Sequence, residues 1–516
     1  MAVRRLGSSL GRCRLNFERS SLLMFASSLA SPFKDVDESS LKSVNTTPSP
    51  NLKNQILRLK LPGESAISVL QSWSDNGYKV TFDQLRYISA ILMKSKRYKP
   101  ALEIFTWMET RNNSRISAAD KAMRLELIIK VHGIREAEDY FKLMADSASR
   151  KEAFLSLLRG YVKERDTVKA EGLMMNLNDS GLLVSPHPFN EMMKLYMSTS
   201  QHEKVPFVIL QMKRNKIPLN VLSYNLWMNS CCEMSEVTKV EMVYKEMMND
   251  KNVEVGWSTL CTLGNAYTKA GMVEKALWAL TMAEKKLSTN SRLGYFFLIT
   301  QYCSLRNKEG VQRLWESSKG VGGRITCANY ICILSCFVKV NNLVEAERAF
   351  MDWESNCRNY DTRVSNVLLG AYVRKGLINR AESLHVRTLE RGGRPNFKTW
   401  EILLEGWVKS QKMDKAITAM NRAFCLLMRC DWRPSPGNLI AIAEHLEKKG
   451  SFEEANRYIR VVHHFGLASL RLYKIFLRMH LSAGKTAFDI LEMMGKDKIG
   501  MDDETFALVE ALKSYA

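Results

Sequence analysis

The 516 residues contain no apolar run approaching the ~18 to 20 that a membrane-spanning helix needs, so no segment is expected to cross a bilayer. The 11 cysteines form no CxxC pair. Cys327, Cys332 and Cys336 come nearest to a cluster, and Cys332 and Cys336 could share one helical face. No histidine lies close in sequence to complete a zinc site, so small, buried, reduced thiols are the plainer reading. No metal and no cofactor is expected. There is no GxxxxGK loop to cradle a phosphate. The eight histidines stand beside no serine or cysteine nucleophile signature, and the adjacent His463 and His464 point to different helix faces. Nothing here assembles a catalytic site, and an enzyme is not expected. Acidic residues are in deficit: 54 Asp and Glu face 75 Lys and Arg, a net charge of +21. That balance favours an anionic partner, RNA or DNA ahead of a membrane surface.

Acid is scarcest in residues 1–34, where Glu18 stands against Arg4, Arg5, Arg12, Arg14 and Arg19. An Arg-rich, Ser-rich start with apolar residues at helical spacing reads as an organellar transit peptide, and the arginine spacing favours the mitochondrion (matrix) over the plastid. Residues 35–55 are polar, with Ser, Thr and two Pro, and read as a linker. Residues 56–79 read as an N-terminal helical cap, 80–500 as a repeat array, and 501–516 as a C-terminal helical cap.

The array announces itself by periodicity. Tyr161, Tyr196, Cys231, Tyr267, Tyr302, Phe337, Tyr372 and Trp407 follow one another at steps of 35 residues, with a single step of 36. Nine residues after each stands a small residue: Ala170, Val205, Val240, Ala276, Val311, Ala346, Ala381 and Ala416. The register extends outward to Leu92 with Ala101, Ile128 with Ala137, and Leu446 with Ala455, and is lost at Ala487. Two columns held in step over some 300 residues mark an internal repeat.

Each repeat reads as two helices. Leu403 to Met420, LLEGWVKSQKMDKAITAM, has apolar positions at three- and four-residue spacing on both sides of a polar break. Gly271, Gly376 and Gly450 fall in that break, five residues before the small residue, where a helix C-terminus wants a left-handed position. Pro218 and Pro395 fall between repeats. A hairpin of this size cannot bury its apolar face alone, so the reading is an all-α fold in which neighbours stack into a solenoid. Met108, Met144, Met212 and Met247, each seven residues after its small residue, read as core. Acidic residues of the second helices, as in VEAERAF (Val344 to Phe350), alternate with Arg and Lys and read as solvated faces.

The W-x2-L-G-x2-Y signature of 34-residue tetratricopeptide repeats is absent from these units. Their first helices open instead with SYNLWMNSCCEMSEV (Ser223 to Val237) and PFNEMMKLYM (Pro188 to Met197), and units end IPLN (Ile217 to Asn220) and RPN (Arg394 to Asn396). With the 35-residue step and the Ala in the second helix, this pattern resembles pentatricopeptide repeat proteins, and within them the plain class of plant organelles, over about eleven units. The motif ALEIFTWMETR (Ala101 to Arg111) and a degenerate unit through AEDYF (Ala137 to Phe141) are similar to one branch of that class. The resemblance implies a right-handed superhelix of helix-turn-helix repeats that binds single-stranded RNA, one base per repeat. It places base choice at the residue after the aromatic that opens the first helix and at the last residue of the unit. The matching pairs are Asn190 with Asn220, Asn225 with Gly256, and Asn366 with Asn396, a pairing that in the family leans toward pyrimidines. Elsewhere the first of these positions holds Leu155, Cys261, Phe296, Ile331, Glu401 and Ile440, and Leu, Phe and Ile cannot hydrogen-bond a base. The asparagines also suit a second role, bonding orphan amides at helix starts.

A further column lies two residues after the aromatic: Lys94, Lys130, Lys163, Lys269, Lys339, Arg374, Lys409 and Lys448, with Ser198, Glu233 and Ser304 as exceptions. Stacked helices about 10 Å apart would set these cations at a pitch that tracks an extended phosphate backbone. In the family a Lys near the end of the first helix contacts phosphate. A cation there also offsets the helix dipole. The closing ETFALVEALKSYA has neither the HxE nor the CxxC of a deaminase-like tail, so a catalytic tail is not expected. The expectation is an organellar single-stranded RNA-binding protein acting in transcript processing, stability, editing support or translation without catalysis of its own. The alternative is a structural protein-interaction solenoid, such as a component associated with the mitochondrial ribosome.

Overall fold

A computed structural model describes residues 51–59, 64–111, 116–181, 183–288, 291–427 and 433–513. The proposed leader and nearly all of the linker lie outside these residues. Those described form α-helices joined by short turns, with a 3-10 turn at His202–Lys204 and no strand among them. They divide into an N-terminal segment through Lys286 and a C-terminal segment from Leu287.

The nine-residue spacing has a physical origin in how each first helix stops. Helix Thr362–Arg374 ends where Gly376 takes φ +73°, and the amide of Leu377 turns back to donate to the Tyr372 carbonyl at 2.9 Å. Helix Ile378–Glu390 then begins, and Ala381 is its fourth residue. The same closure recurs at Tyr161, Tyr196, Cys231, Tyr267, Tyr302, Phe337, Trp407 and Leu446, whose carbonyls accept from the amide five residues on at 2.8 to 3.2 Å. Gly271 and Gly450 fill the left-handed position as their sequence placement predicts. Seven other repeats, that of Leu92 included, use Lys96, Arg165, Ser200, Ser235, Arg306, Asn341 or Gln411 there, at φ 56° to 61°. A side chain at such φ costs about 1 to 2 kcal/mol, so the closure itself, rather than glycine, is what the repeat requires.

The two sequence columns are the two halves of each hairpin's core. All eleven small residues, from Ala101 to Ala455, are 0% exposed. Their partners from Leu92 to Leu446 are buried too, and Tyr302 and Phe337 occupy equivalent places, 3% and 0% exposed. The aromatic ring lies close on the second helix: a Cβ added to Gly310 would sit 2.6 Å from Tyr302 Cδ1. First helices also pack against those of neighbouring repeats, as Thr362–Arg374 does against Cys327–Lys339 and Phe397–Lys409. The Met column is core, with Met108, Met212 and Met247 fully buried and Met144 nearly so.

The structure departs from the sequence reading at both ends. Helix Leu52–Arg58 begins inside the proposed 35–55 linker, because Leu52 and Ile56, one turn apart, are both buried. Helix Ala66–Asp75 follows, and the Glu103 carboxylate accepts from the Ala66 amide at 2.6 Å, tying it to the next hairpin. In the last hairpin, Leu470–Ser482 with Phe488–Lys496, the Lys485 amide closes on the His480 carbonyl, but the second helix starts eight residues after His480 rather than six. That longer turn is why the register fails at Ala487.

Candidate nucleic-acid interface

Every member of the cation column sits in the last turn of a first helix. All eight are solvent-exposed. In the N-terminal segment the row runs Lys94, Lys130, Lys163, then the Ser198 and Glu233 interruptions, then Lys269. In the C-terminal segment it runs Ser304, Lys339, Arg374, Lys409, Lys448. Consecutive places are neighbours in space: Lys269 Nζ reaches Glu233 Oε1 at 2.7 Å, and Lys339 Nζ reaches Ser304 Oγ at 3.5 Å. The row is not uniformly available. Lys130 and Lys409 pair with Glu126 and Glu405 one turn earlier in their own helices, and Lys269 pairs with Glu233. Lys94, Lys163, Lys339, Arg374 and Lys448 have no carboxylate partner among the described residues.

The asparagine column occupies the fifth position of the first helices Pro186–Ser198, Val221–Glu233 and Thr362–Arg374. The structure brings together two of the three pairs. Asn190 Nδ2 donates to Asn220 Oδ1 at 3.2 Å, and Asn366 Nδ2 donates to Asn396 Oδ1 at 3.2 Å. Asn220 and Asn396 are also the N-caps of the next first helices, each in a capping box with Ser223 or Thr399. Those hydroxyls donate onward to Asn190 Oδ1 at 2.8 Å and Asn366 Oδ1 at 2.9 Å. The helix-start role is therefore real for both caps. Asn190 is 1% exposed with both amide atoms engaged, whereas the Nδ2 groups of the half-buried Asn220 and Asn396 have no acceptor among the described residues. Asn225 differs, because Gly256 offers no side chain. Its Nδ2 lies 3.4 Å from Ser258 Oγ and its buried Oδ1 has no partner. Cys261 and Phe296 hold the same fifth position, 0% and 8% exposed.

Sequence reasoning missed a second recurring contact. The glutamates one residue after the small residue are not merely solvated. Glu171, Glu241, Glu347 and Glu382 accept from the column aromatic of the next repeat: Tyr196 at 2.9 Å, Tyr267 at 3.0 Å, Tyr372 at 2.8 Å and Trp407 Nε1 at 2.7 Å. The same carboxylates take Lys275 at 2.9 Å, Arg380 at 3.2 Å and Lys415 at 2.9 Å from the second helix of that next repeat, and Lys204 at 2.8 Å from the 3-10 turn that leads into it. The signal was present as a column: the aromatic stands 25 or 26 residues after the Glu, the cation 33 or 34. Lys204 and Lys275 hold Glu171 and Glu241 below the ordinary carboxylate range. At Glu382 burial works to raise the pKa, yet Lys415, Trp407 and Lys412 together hold it at about 2. Burial, then the neighbouring carboxylate, pushes the Tyr196, Tyr267 and Tyr372 phenols up.

Among the described residues no group of three or more His, Cys, Asp or Glu is placed to hold a metal ion, and no helix is long and apolar enough to cross a membrane. Cys336 is buried, and hydrogen bonding with Cys303 and Cys332, reinforced by burial, pushes its thiol well above the usual range. A protonated thiol of this kind is inert.

Comparison with known proteins agrees with the architecture. The PPR repeat family model matches residues 222–251, 258–285 and 364–393. A pentatricopeptide repeat-containing protein of Arabidopsis thaliana is 57% identical over 453 residues, covering 87% of this chain and 92% of its own length. A second from the same plant, whose name calls it mitochondrial, is 35% identical over 339 residues, 65% of this chain and 83% of its own. Among solved structures, the pentatricopeptide repeat protein PPR10 in complex with an 18-nt psaJ RNA element has a TM-score of 0.55 at 15% identity, over 87% of this chain and 70% of that one. A separate crystal structure of PPR10 from maize has a TM-score of 0.51 at 16% identity, over 86% and 68%. The likeness to the first Arabidopsis protein, sustained over most of both chains, carries the assignment: this chain belongs to the pentatricopeptide repeat family.

Proposed function

We propose that the protein binds single-stranded RNA in an organelle, and that this organelle is the mitochondrion (matrix). The observation that carries the reading is the exposed row of cations on the last turns of the first helices. Five of its eight members lack a carboxylate partner among the described residues and are free to neutralise phosphate. The capping asparagines add limited base contact. Asn190 and Asn366 orient Asn220 and Asn396, whose Nδ2 groups then face a base edge, while the unpaired Asn225 Oδ1 is buried and meets a base only when its amide turns outward. The PPR10 complex with an RNA element and the mitochondrial names of several Arabidopsis relatives support the same reading.

The mechanism is occupancy. A strand held by phosphate pairing is masked from nucleases and refolding, or presented to editing, splicing or translation machinery, and the protein catalyses nothing. Ultraviolet crosslinking in isolated mitochondria tests this: short discrete RNA footprints are expected, and their absence contradicts it. One observation favours protein docking instead. Phe207, Met242 and Trp278 stand two residues after consecutive small residues and are 70%, 67% and 52% exposed. Partners that survive RNase treatment in a pull-down, without crosslinked RNA, would replace the RNA reading with that one.

A further inference from the structure

The C-terminal segment holds an open cavity of about 750 Å³ at the loops that join one repeat to the next, away from the cation column. Arg358, Arg363, Arg391 and Arg394 line it, with Asp361 and Asn396. The Thr362 hydroxyl donates to the Arg394 carbonyl at 2.9 Å and pins the two loops together. Four guanidinium groups around one space repel each other unless something neutralises them. The nearby carboxylates are already engaged: Asp361 takes Arg363 in a two-armed pair, Glu354 takes Arg387, and Asp352 accepts from Tyr330. Arg358, Arg391 and Arg394 are exposed and have no carboxylate partner among the described residues. The cavity therefore carries three uncompensated positive charges, and guanidinium geometry matches phosphate oxygens two at a time.

Asn396 connects this cavity to the proposed base site. It lines the cavity, caps helix Phe397–Lys409 and bonds Asn366. The cation Lys409 stands at the other end of that helix, 13 residues long, or about 20 Å away by the rise per residue. We propose that the arginine-lined cavity is a second phosphate site, which holds the phosphodiester backbone of a bound single strand at the rim opposite the lysine row, beside the Asn366–Asn396 pair. This rests on the RNA-binding reading above. A free polyphosphate is the other source of the same chemistry.

The test uses the full chain and the variant R358Q/R391Q/R394Q. These side chains are exposed and unpaired, so the variant should melt with the parent. Binding of labelled oligouridylate is measured against salt, and inorganic pyrophosphate is added separately in thermal melts. The expected result is a salt slope shallower by at least about 0.7, the value for one lost phosphate on a single strand. A variant slope equal to the parent's overturns the site. If pyrophosphate raises only the parent's melting temperature while the slopes agree, the cavity takes free polyphosphate and the strand assignment is overturned. A parent that binds oligouridylate without salt dependence overturns the lysine-row reading and the strand assignment together, and the pyrophosphate melts still decide whether the cavity is an anion site.

Discussion

Trp407 Nε1 donates to Glu382 Oε1 at 2.7 Å, from the first helix of one repeat to the second helix of the repeat before. Lys415, on the second helix of Trp407's own repeat, meets the same oxygen at 2.9 Å. One carboxylate thus fixes both helices of the following hairpin. Tyr372 and Arg380 do the same at Glu347, and at Glu171 Tyr196 is joined by Lys204 from the 3-10 turn that opens the second helix. The stack is held by apolar burial and is oriented by these buttresses.

The buttress sets an acid limit. Glu382 is held at about 2 in the fold, below its unfolded value near 4.5, so its contribution is full above pH ~4.5 and is lost as pH falls through ~2. Glu382→Gln should lower the melting temperature at pH 7 and flatten its decline across that acid window. Identical pH profiles for variant and parent would show that the pair only decorates the surface.

Ala346 is 0% exposed at the centre of its hairpin. Ala346→Arg forces both volume and an unpaired charge into the contact and should cost roughly 3 kcal/mol or more. A urea unfolding curve superimposable on the parent's would contradict the assigned register.

Arg306 and Gly376 occupy equivalent helix-closing positions, at φ 56° and 73°. Arg306→Gly should gain up to about 1 kcal/mol, as relief of Cβ strain outweighs glycine's added chain entropy. Gly376→Ala should lose about 1 to 2 kcal/mol. The check is the shift of urea midpoint at constant slope, with opposite signs expected for the two variants.

The asparagines should divide by chemistry. Asn366→Leu takes the shorter of two acceptors from the Thr399 hydroxyl, which keeps Asn396 Oδ1 at 3.2 Å, and removes one donor to Asn396, costing about 1 kcal/mol, whereas Asn225→Leu removes an unsatisfied buried acceptor and should leave stability level or higher. Both should weaken binding to pyrimidine-rich RNA. Loss of stability in both, with RNA affinity untouched in both, would reduce the column to a structural role.

The hairpins were legible because closure and core are local. A left-handed residue four places after Tyr372 and a small residue nine places after it lie within one turn of chain, and sequence spacing records them directly. The ladder from Glu382 to Trp407 was harder to see, since its partners lie 25 and 33 residues apart and each residue alone looks like an ordinary surface group. The Asn366–Asn396 pair was legible only through family likeness. Its capping role emerged from the neighbouring Thr399, which no base-reading pattern includes. The arginine cavity was not legible, because Arg358 and Arg394 belong to loops of different repeats that Thr362 draws together.

Whether the exposed lysine row holds RNA phosphate is tested most directly by the salt dependence of single-stranded RNA binding, for the parent and for the variant K94Q/K163Q/K339Q/K448Q. The predicted slope is shallower by about 2.8, from roughly 0.7 for each of the four lysines neutralised, with the fold intact in thermal melts. An unchanged slope would contradict the phosphate role and leave these cations as helix-dipole partners alone.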